Sequence, residues 1–136
     1  MQYAEQMLEA TPHQPQFEPK VLVRCIDGCF SCAQACTFCA DACLGEEAVT
    51  HLARCIRLNL DCADVCEITG RVLSRQFAID VELAHALIEA CAKACGRCAD
   101  ECERHAEAMG MEHCRVCAEA CRTCEQACND LLGSVA

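Results

Sequence analysis

The apolar and polar positions of this chain alternate with the period of an α-helix over four long segments. Within each segment, inward-facing residues recur at separations of three and four, and charged residues occupy the opposite face. This pattern predicts helices over 20–44, 46–74, 78–109 and 111–132. Short connections between consecutive helices favour antiparallel neighbours. The sequence therefore predicts an all-α fold, an antiparallel up-down-up-down four-helix bundle.

Glycine and proline residues mark the limits of these segments. Gly45 and Gly110 follow the first and third segments, as is typical after the C-terminus of a helix. The junction before the third segment lacks a glycine, and Asp80 is the predicted N-cap there. All three prolines lie near the N-terminus, which predicts a short helix or extension over 1–19 before the bundle at 20–136.

Cysteine occupies most of the inward-facing positions of the four helices. In the first helix, six cysteines are separated by 4, 3, 4, 3 and 4 residues. At about 100° per residue they form one narrow stripe, where a bundle normally carries leucine. The third and fourth helices repeat the stripe, and in the sparser second one Asn59 fills a vacant in-phase position. The cysteines are Cys25, Cys29, Cys32, Cys36, Cys39, Cys43, Cys55, Cys62, Cys66, Cys91, Cys95, Cys98, Cys102, Cys114, Cys117, Cys121, Cys124 and Cys128.

The composition makes cysteine the main filler of the predicted core. The chain contains 18 Cys, 4 Phe, 1 Tyr and no Trp. Cysteine fills less space than leucine, so a core built from it alone is expected to be underpacked. A column of sulfurs many turns long suits Cu(I), a soft ion that prefers thiolate and thioether ligands. Zinc ribbons and ferredoxins instead place their cysteine pairs on turns, where the sulfurs converge on one site.

The charge of the thiolates also favours a monovalent ion. Thiolates at every one of these positions would bring about −18 into a dry core, a charge that must be compensated. One monovalent ion per thiolate gives neutrality, whereas a divalent zinc ion bound by four thiolates leaves a large negative charge. We therefore expect several Cu(I) ions per chain, about one for each cysteine.

One end of the predicted bundle gathers further soft ligands. The cysteines nearest this end are Cys43, Cys55, Cys102 and Cys114. Imidazole and thioether groups continue the stripe beyond them, and these weaker Cu(I) ligands suit a mouth through which ions load. The candidate ligands besides cysteine are His51, Asn59, His105, Met109 and His113, of which Asn59 is a candidate either to bind copper or to hydrogen-bond a ligand. The opposite end is expected to be an apolar plug of Leu73, Leu83, Leu87, Leu131 and Leu132.

The remaining features exclude several classes of function. The net charge is −10 and no basic stripe is present, so we expect no nucleic-acid partner. The chain opens without the charged and apolar regions of an export signal, and no apolar run approaches the roughly 20 residues that span a bilayer. We therefore expect a cytoplasmic protein with reduced thiols and no membrane partner. No motif supports catalysis, so we expect no enzymatic activity.

The cysteine runs resemble those of the bacterial copper storage proteins, in particular the cytosolic branch without an export signal. The resemblance covers residues 25–128 and rests on the runs CIDGCFSCAQACTFCADAC, CIRLNLDCADVC, CAKACGRCADEC and CRVCAEACRTCEQAC. It implies a four-helix bundle, Cu(I) bound along the interior chiefly by thiolates, and assembly into a homotetramer. The expected partners are copper ions and a copper chaperone or exporter that exchanges them.

Other functions remain open on sequence grounds. Buffering of zinc or another soft metal would use the same thiolates, as would a ferredoxin-like iron–sulfur protein that transfers electrons. Redox sensing through disulfides is a further alternative, although the thiols far exceed what a switch needs. Phe30 and Phe38 point away from the cysteine stripe and are expected to be covered by the N-terminal segment or by another subunit.

Overall fold

The computed structural model of the chain describes residues 2–134, and the helices among them form a four-helix bundle with a short N-terminal helix. The helices are α1 (Ala4–Ala10), α2 (Pro19–Leu44), α3 (Ala53–Leu73), α4 (Val81–Met109) and α5 (Glu112–Leu132). Among α2 to α5, each helix packs against the one that follows it in the chain, and α5 also packs against α2 to close the bundle. The predicted all-α bundle is confirmed. The predicted domain limits at residues 1 and 136 lie outside the described residues.

Side-chain caps fix the start of two bundle helices. The carboxylate of Glu18 accepts hydrogen bonds from the backbone N–H groups of Lys20 and Val21, and Pro19 occupies the first turn of α2. Asp80 accepts a hydrogen bond from the Leu83 N–H at 3.1 Å, as predicted for the N-cap of α4. Gly110 ends α4 with φ 65°, a left-handed conformation that favours glycine.

The predicted start of the second bundle helix is wrong. Residues 46–52 form a turn that includes a short 3₁₀ helix, Val49–His51, and α3 begins only at Ala53. Leu52 is fully buried just before the helix, whereas His51 is exposed. The helical phase that placed His51 on the cysteine stripe therefore does not apply, because the chain is not yet in that helix.

The third bundle helix also begins later than predicted, at Val81 rather than residue 78. Ala78 has φ 55°, which is incompatible with a right-handed helix. The residues before Asp80 therefore belong to the connection between α3 and α4.

The apolar plug at the closed end is only partly as predicted. Leu83 is 52% exposed, because the stripe of α4 continues from Cys91 to Ile88 and Ala84, which leaves Leu83 and Leu87 one position out of phase. Of the other predicted residues, Leu73 and Leu131 are fully buried and Leu132 is half-buried. The residues that close this end of the bundle are Phe17, Leu22, Leu73, Ala84, Ile88 and Leu131.

The N-terminal segment lies over this closed end. The Gln16 N–H donates to Oε1 of Gln76 at 2.9 Å, and Nε2 of the buried Gln76 donates to the Leu73 carbonyl at 2.8 Å. The rings of His13 and Phe77 meet edge to face with centroids 5.3 Å apart. These contacts tie the segment to the α3–α4 connection, so the leucines beneath it are shielded from water.

The two aromatic side chains of α2 have different environments. Phe30 packs over Gly70 of α3, where an added Cβ would come within 2.9 Å of the ring. Phe38 is 70% exposed. Phe30 therefore contacts α3 with part of its ring and remains 38% exposed, while Phe38 retains a larger free apolar surface in this chain.

Helix α2 is the one helix of the described chain that is long and apolar enough to cross a membrane, judged by length and composition alone. This differs from the expectation that no apolar run reaches such a length. Six cysteines contribute to the apolar character of α2, and all six are buried against the other helices. Core helices of bundles satisfy the same criterion, so this finding is weak evidence for a membrane span.

Candidate metal centre

The cysteine side chains form a buried column of free thiols along the bundle axis. All 18 are free and buried. The closest sulfurs are in van der Waals contact: Sγ of Cys66 lies 3.5 Å from Sγ of Cys95, which lies 4.0 Å from Sγ of Cys32. These distances are far longer than a disulfide bond. The expected underpacking is therefore absent along this column, because the helices approach closely enough for the sulfurs to touch.

Much of the column consists of groups of four sulfurs, some of which overlap. Within each group, every Sγ lies within 4.8 Å of the others. Five of these groups are Cys29, Cys91, Cys124 and Cys128; Cys32, Cys62, Cys66 and Cys95; Cys32, Cys36, Cys62 and Cys121; Cys36, Cys98, Cys117 and Cys121; and Cys39, Cys55, Cys102 and Cys114. Several sulfurs, including those of Cys32 and Cys36, belong to two groups. A thiolate in such a position can bridge two ions, so neighbouring sites are chemically linked.

The last of these groups takes one sulfur from each bundle helix at the end predicted to be the mouth. In that group Cys39 stands where the sequence predicts Cys43, which lies one helical turn further along α2 and is also buried. Cys39 and Cys114 are 3.8 Å apart and Cys55 and Cys102 are 3.9 Å apart, measured between Sγ atoms. We call these four sulfurs the mouth group.

Asn59 lies inside the column, between the mouth group and the next group of sulfurs. Its Oδ1 accepts hydrogen bonds from Sγ of Cys98 and of Cys117, each at 3.1 Å, and lies 3.8 Å from Sγ of Cys102. Its Nδ2 lies 3.6 Å from Sγ of Cys55. The side chain is fully buried, so the in-phase placement expected from the sequence puts an amide in contact with sulfurs on both sides.

His113 contacts the mouth group directly. Its Nδ1 lies 3.4 Å from Sγ of Cys39 and 3.6 Å from Sγ of Cys114. Its other ring nitrogen, Nε2, lies 2.7 Å from Oε2 of Glu46. The imidazole therefore bridges two thiols and a carboxylate, in a position from which it can bind an ion held by the mouth group.

The other predicted ligands at this end lie further from the sulfurs or are more exposed. Nε2 of His105 lies 2.8 Å from Oε2 of Glu101, a side chain that is only 7% exposed and also pairs with Arg104. Met109 is 43% exposed, and His51 is exposed on the 3₁₀ turn. Copper binding by these three residues stays a prediction, and it has least support for His51.

The ionisable side chains at the mouth have pKa values that are shifted in different directions. Burial raises the pKa of the Cys43 thiol, whereas hydrogen bonds with Cys102 and Cys114 lower the pKa of Cys55 to about 7. Burial lowers the pKa of His113, but its hydrogen bonds with Cys39 and Glu46 outweigh burial and raise it overall. Hydrogen bonds with Cys102 and Cys114 also lower the pKa of Cys39. A mouth with two thiols of lowered pKa and a nearby imidazole is suited to exchange protons for metal ions.

Sequence reasoning missed two carboxylates of this end, Glu46 and Glu101. The contact between Glu101 and His105 joins residues four apart on one helix, and this spacing is a readable signal. Glu46 and His113 are 67 residues apart, so no local pattern indicates their contact.

Comparisons with known proteins match this architecture over most of the chain. Residues 18–133 match the protein family described as copper storage protein. The structure of the copper storage protein Ccsp from Streptomyces lividans, loaded with 10 copper equivalents, has 50% sequence identity and a TM-score of 0.92, over 96% of this chain and 98% of that one.

Two further structures are similar. A cytosolic copper storage protein from Streptomyces lividans, described with five coppers, has 55% identity and a TM-score of 0.82, over 86% of this chain and 96% of that one. The Cu(I)-bound copper storage protein BsCsp3 has 33% identity and a TM-score of 0.69, over 79% of this chain and 94% of that one. The likeness therefore extends to sequence as well as to fold.

Proposed function

The chain belongs to the copper storage protein family, and we propose that it stores several Cu(I) ions in the cytoplasm on the thiolates that line its bundle. The observation that carries this proposal is the column of buried free sulfurs, which form several groups of four along the bundle axis, some of them with shared members. We propose a capacity of about one ion per cysteine, from the neutrality of the core. The role is storage and sequestration, without catalysis.

Charge conservation supports a monovalent cargo. When a buried thiol releases its proton and binds Cu(I), one positive charge leaves the sulfur and one arrives, so the net charge of the core does not change. A divalent ion that displaces four protons from four thiols leaves an excess charge of about −2 in a dry interior, which is costly.

We propose that ions load at the mouth group. Soft ligands converge there, with the imidazole of His113 beside the sulfurs of Cys39 and Cys114. The opposite end is closed by buried aliphatic side chains and covered by the N-terminal segment. Within the proposal, His105 and Met109 are outer ligands of this mouth, Asn59 lies in the path inward, and His51 has at most a peripheral role.

The proposal includes assembly as a homotetramer and exchange of copper with a chaperone or exporter. Phe38 and Val116 are exposed on α2 and α5 and line the same groove, which supplies an apolar face for a contact between subunits. The exchange partner would meet the mouth, because the soft ligands of intermediate exposure lie there.

An anaerobic titration with Cu(I) against a strong chelator tests the storage function. We expect saturation near 18 ions per chain, by the neutrality argument, and no displacement of bound copper by excess Zn²⁺. Saturation at only a few ions, or replacement of copper by zinc, would contradict storage.

Zinc buffering is the second candidate, because each four-sulfur group also suits a tetrahedral Zn²⁺. An iron–sulfur protein would instead show a brown colour and visible absorption as isolated. The competition between the two ions separates zinc buffering from storage, because a zinc protein would keep about one Zn²⁺ per four sulfurs when Cu(I) is present.

A further inference from the structure

The two nitrogens of the His113 ring have different partners. Nε2 lies 2.7 Å from Oε2 of Glu46, and Nδ1 faces the sulfurs of Cys39 and Cys114. A carboxylate only accepts hydrogen bonds, so Nε2 must carry the proton in this contact. In the neutral ring, Nδ1 then carries the lone pair, and this lone pair is directed at the two sulfurs.

The geometry points to Glu46 as a positioning residue for copper uptake: it holds the Nε2–H of His113 so that Nδ1 can bind an ion shared with the mouth group. This inference rests on the proposed function. Carboxylates in this position fix the tautomer and the orientation of a metal-binding imidazole and increase its basicity. Glu46 itself is not a candidate ligand, because Cu(I) prefers sulfur and nitrogen to carboxylate oxygen.

The hydrogen bond between Glu46 and His113 also joins two parts of the chain that are distant in sequence. Glu46 lies in the connection between α2 and α3, next to Gly45, while His113 lies in the first turn of α5. Their hydrogen bond therefore links a connection to a helix that follows it by more than 60 residues, across the mouth. Both side chains are about one-third exposed or less, at 34% for Glu46 and 26% for His113, so water reaches the pair and an ion can too.

A similar pairing occurs at the second histidine of this end. Nε2 of His105 lies 2.8 Å from Oε2 of Glu101, which again assigns the proton to Nε2 and the lone pair to Nδ1. Glu101 is almost fully buried, and its contact with Arg104 compensates its charge. Two carboxylates from different parts of the chain thus select the same tautomer in the two histidines, which is the arrangement expected if both present Nδ1 to copper.

The test compares Glu46→Ala with Glu46→Gln, whose amide oxygen still accepts the hydrogen bond. Glu47→Ala is the matched control, because Glu47 is the exposed neighbour in the same connection. The first measurement is the ring tautomer of His113 in the copper-free protein, from ¹⁵N-edited NMR spectra at a pH above the raised pKa of His113, where the ring is neutral. We expect the Nε2–H form in the wild type, Glu46→Gln and Glu47→Ala, and a mixture of both tautomers in Glu46→Ala.

The second measurement is the rate of Cu(I) uptake from a soluble chelator complex. We expect Glu46→Ala to slow uptake by roughly tenfold, at the lower end of what loss of such a partner costs, and Glu46→Gln to restore most of it. In a His113→Ala background, Glu46→Ala should have no further effect. An unchanged tautomer, or an equal slowing with and without His113, would overturn the inference.

The total capacity separates this inference from the proposed function. All variants should saturate at the wild-type number of ions, because none of them removes a thiol. If the wild type saturates at only a few ions, the storage function fails whatever Glu46 does. If capacity is intact and the Glu46 variants behave like the wild type, only the positioning role fails. Circular dichroism of each variant establishes that the bundle is folded.

Discussion

Oδ1 of Asn59 accepts a hydrogen bond from Sγ of Cys117 at 3.1 Å in the interior of the bundle. The same oxygen accepts from Cys98, and the amide nitrogen contacts Cys55 of the mouth group. Asn59 thus occupies a place that the period of α3 would otherwise give to a cysteine. A neutral amide stands in the column at the point where ions from the mouth would pass to the inner sulfurs.

Replacing this amide with a thiol should extend the column. We expect Asn59→Cys to raise the saturating number of Cu(I) ions by about one per chain, because one more thiolate requires one more monovalent ion for neutrality. Native mass spectrometry of the protein loaded without oxygen measures this number. Asn59→Ser is the matched control, since it has the same shape as cysteine without the soft sulfur, and its capacity should equal that of the wild type. Equal capacities for the cysteine and serine variants would contradict the prediction.

The bundle should be folded before any copper binds. The sulfurs already contact one another at 3.5–4.0 Å, and buried aliphatic side chains close one end, so the core is packed without metal. Far-ultraviolet circular dichroism of the metal-free, reduced protein should show a strongly helical spectrum. Copper should then raise the unfolding temperature, because an ion that binds only the folded state stabilises it. A random-coil spectrum before copper addition would refute this prediction.

The metal-free protein should lose stability at alkaline pH. Burial raises the pKa of the Cys43 thiol in the folded state above its ordinary value of about 8.5. Stability from a raised pKa is fully present below the unfolded pKa and is lost as pH rises through the folded pKa, because the unfolded chain ionises first. The free energy of unfolding should therefore fall above about pH 8.5.

Denaturant titrations of the metal-free protein at a series of pH values measure this dependence. The copper-loaded protein is the control, because its sulfurs have already exchanged protons for ions and should show a weaker alkaline loss. A free energy of unfolding that is constant or increasing between about pH 8 and 10 would count against the prediction.

Two glycines that end helices should respond differently to alanine. Gly110 has φ 65°, so Gly110→Ala should destabilise the protein by about 1–2 kcal/mol, the cost of a side chain in the left-handed region. Gly45 has φ −89°, and a Cβ added there would approach only the Ala42 carbonyl, at 3.5 Å, so Gly45→Ala should be neutral or slightly stabilising. Chemical denaturation of both variants gives the comparison, and equal effects would show that backbone conformation at Gly110 is not the deciding factor.

Much of the fold can be predicted from local pattern alone. The separations of three and four between cysteines place them on one face of each helix, whatever the rest of the chain does. Asp80 and Gly110 can be identified from the sequence as helix limits, because a capping residue interacts only with the backbone of the adjacent helical turn. Prediction fails where the chain is not helical. Helix α3 begins only at Ala53, so His51 lies before it and the helical period does not place His51 on the cysteine stripe.

Residue type and spacing predict which helical faces carry sulfur and favour a soft, monovalent cargo, because helical period and the number of thiols can be read directly from the chain. The folded bundle was needed to show which sulfurs form a group, such as Cys39 rather than Cys43 at the mouth, and that Glu46 reaches His113. These contacts depend on how far each helix is shifted along its neighbours. That shift is set by packing between residues distant in sequence, which no local pattern encodes.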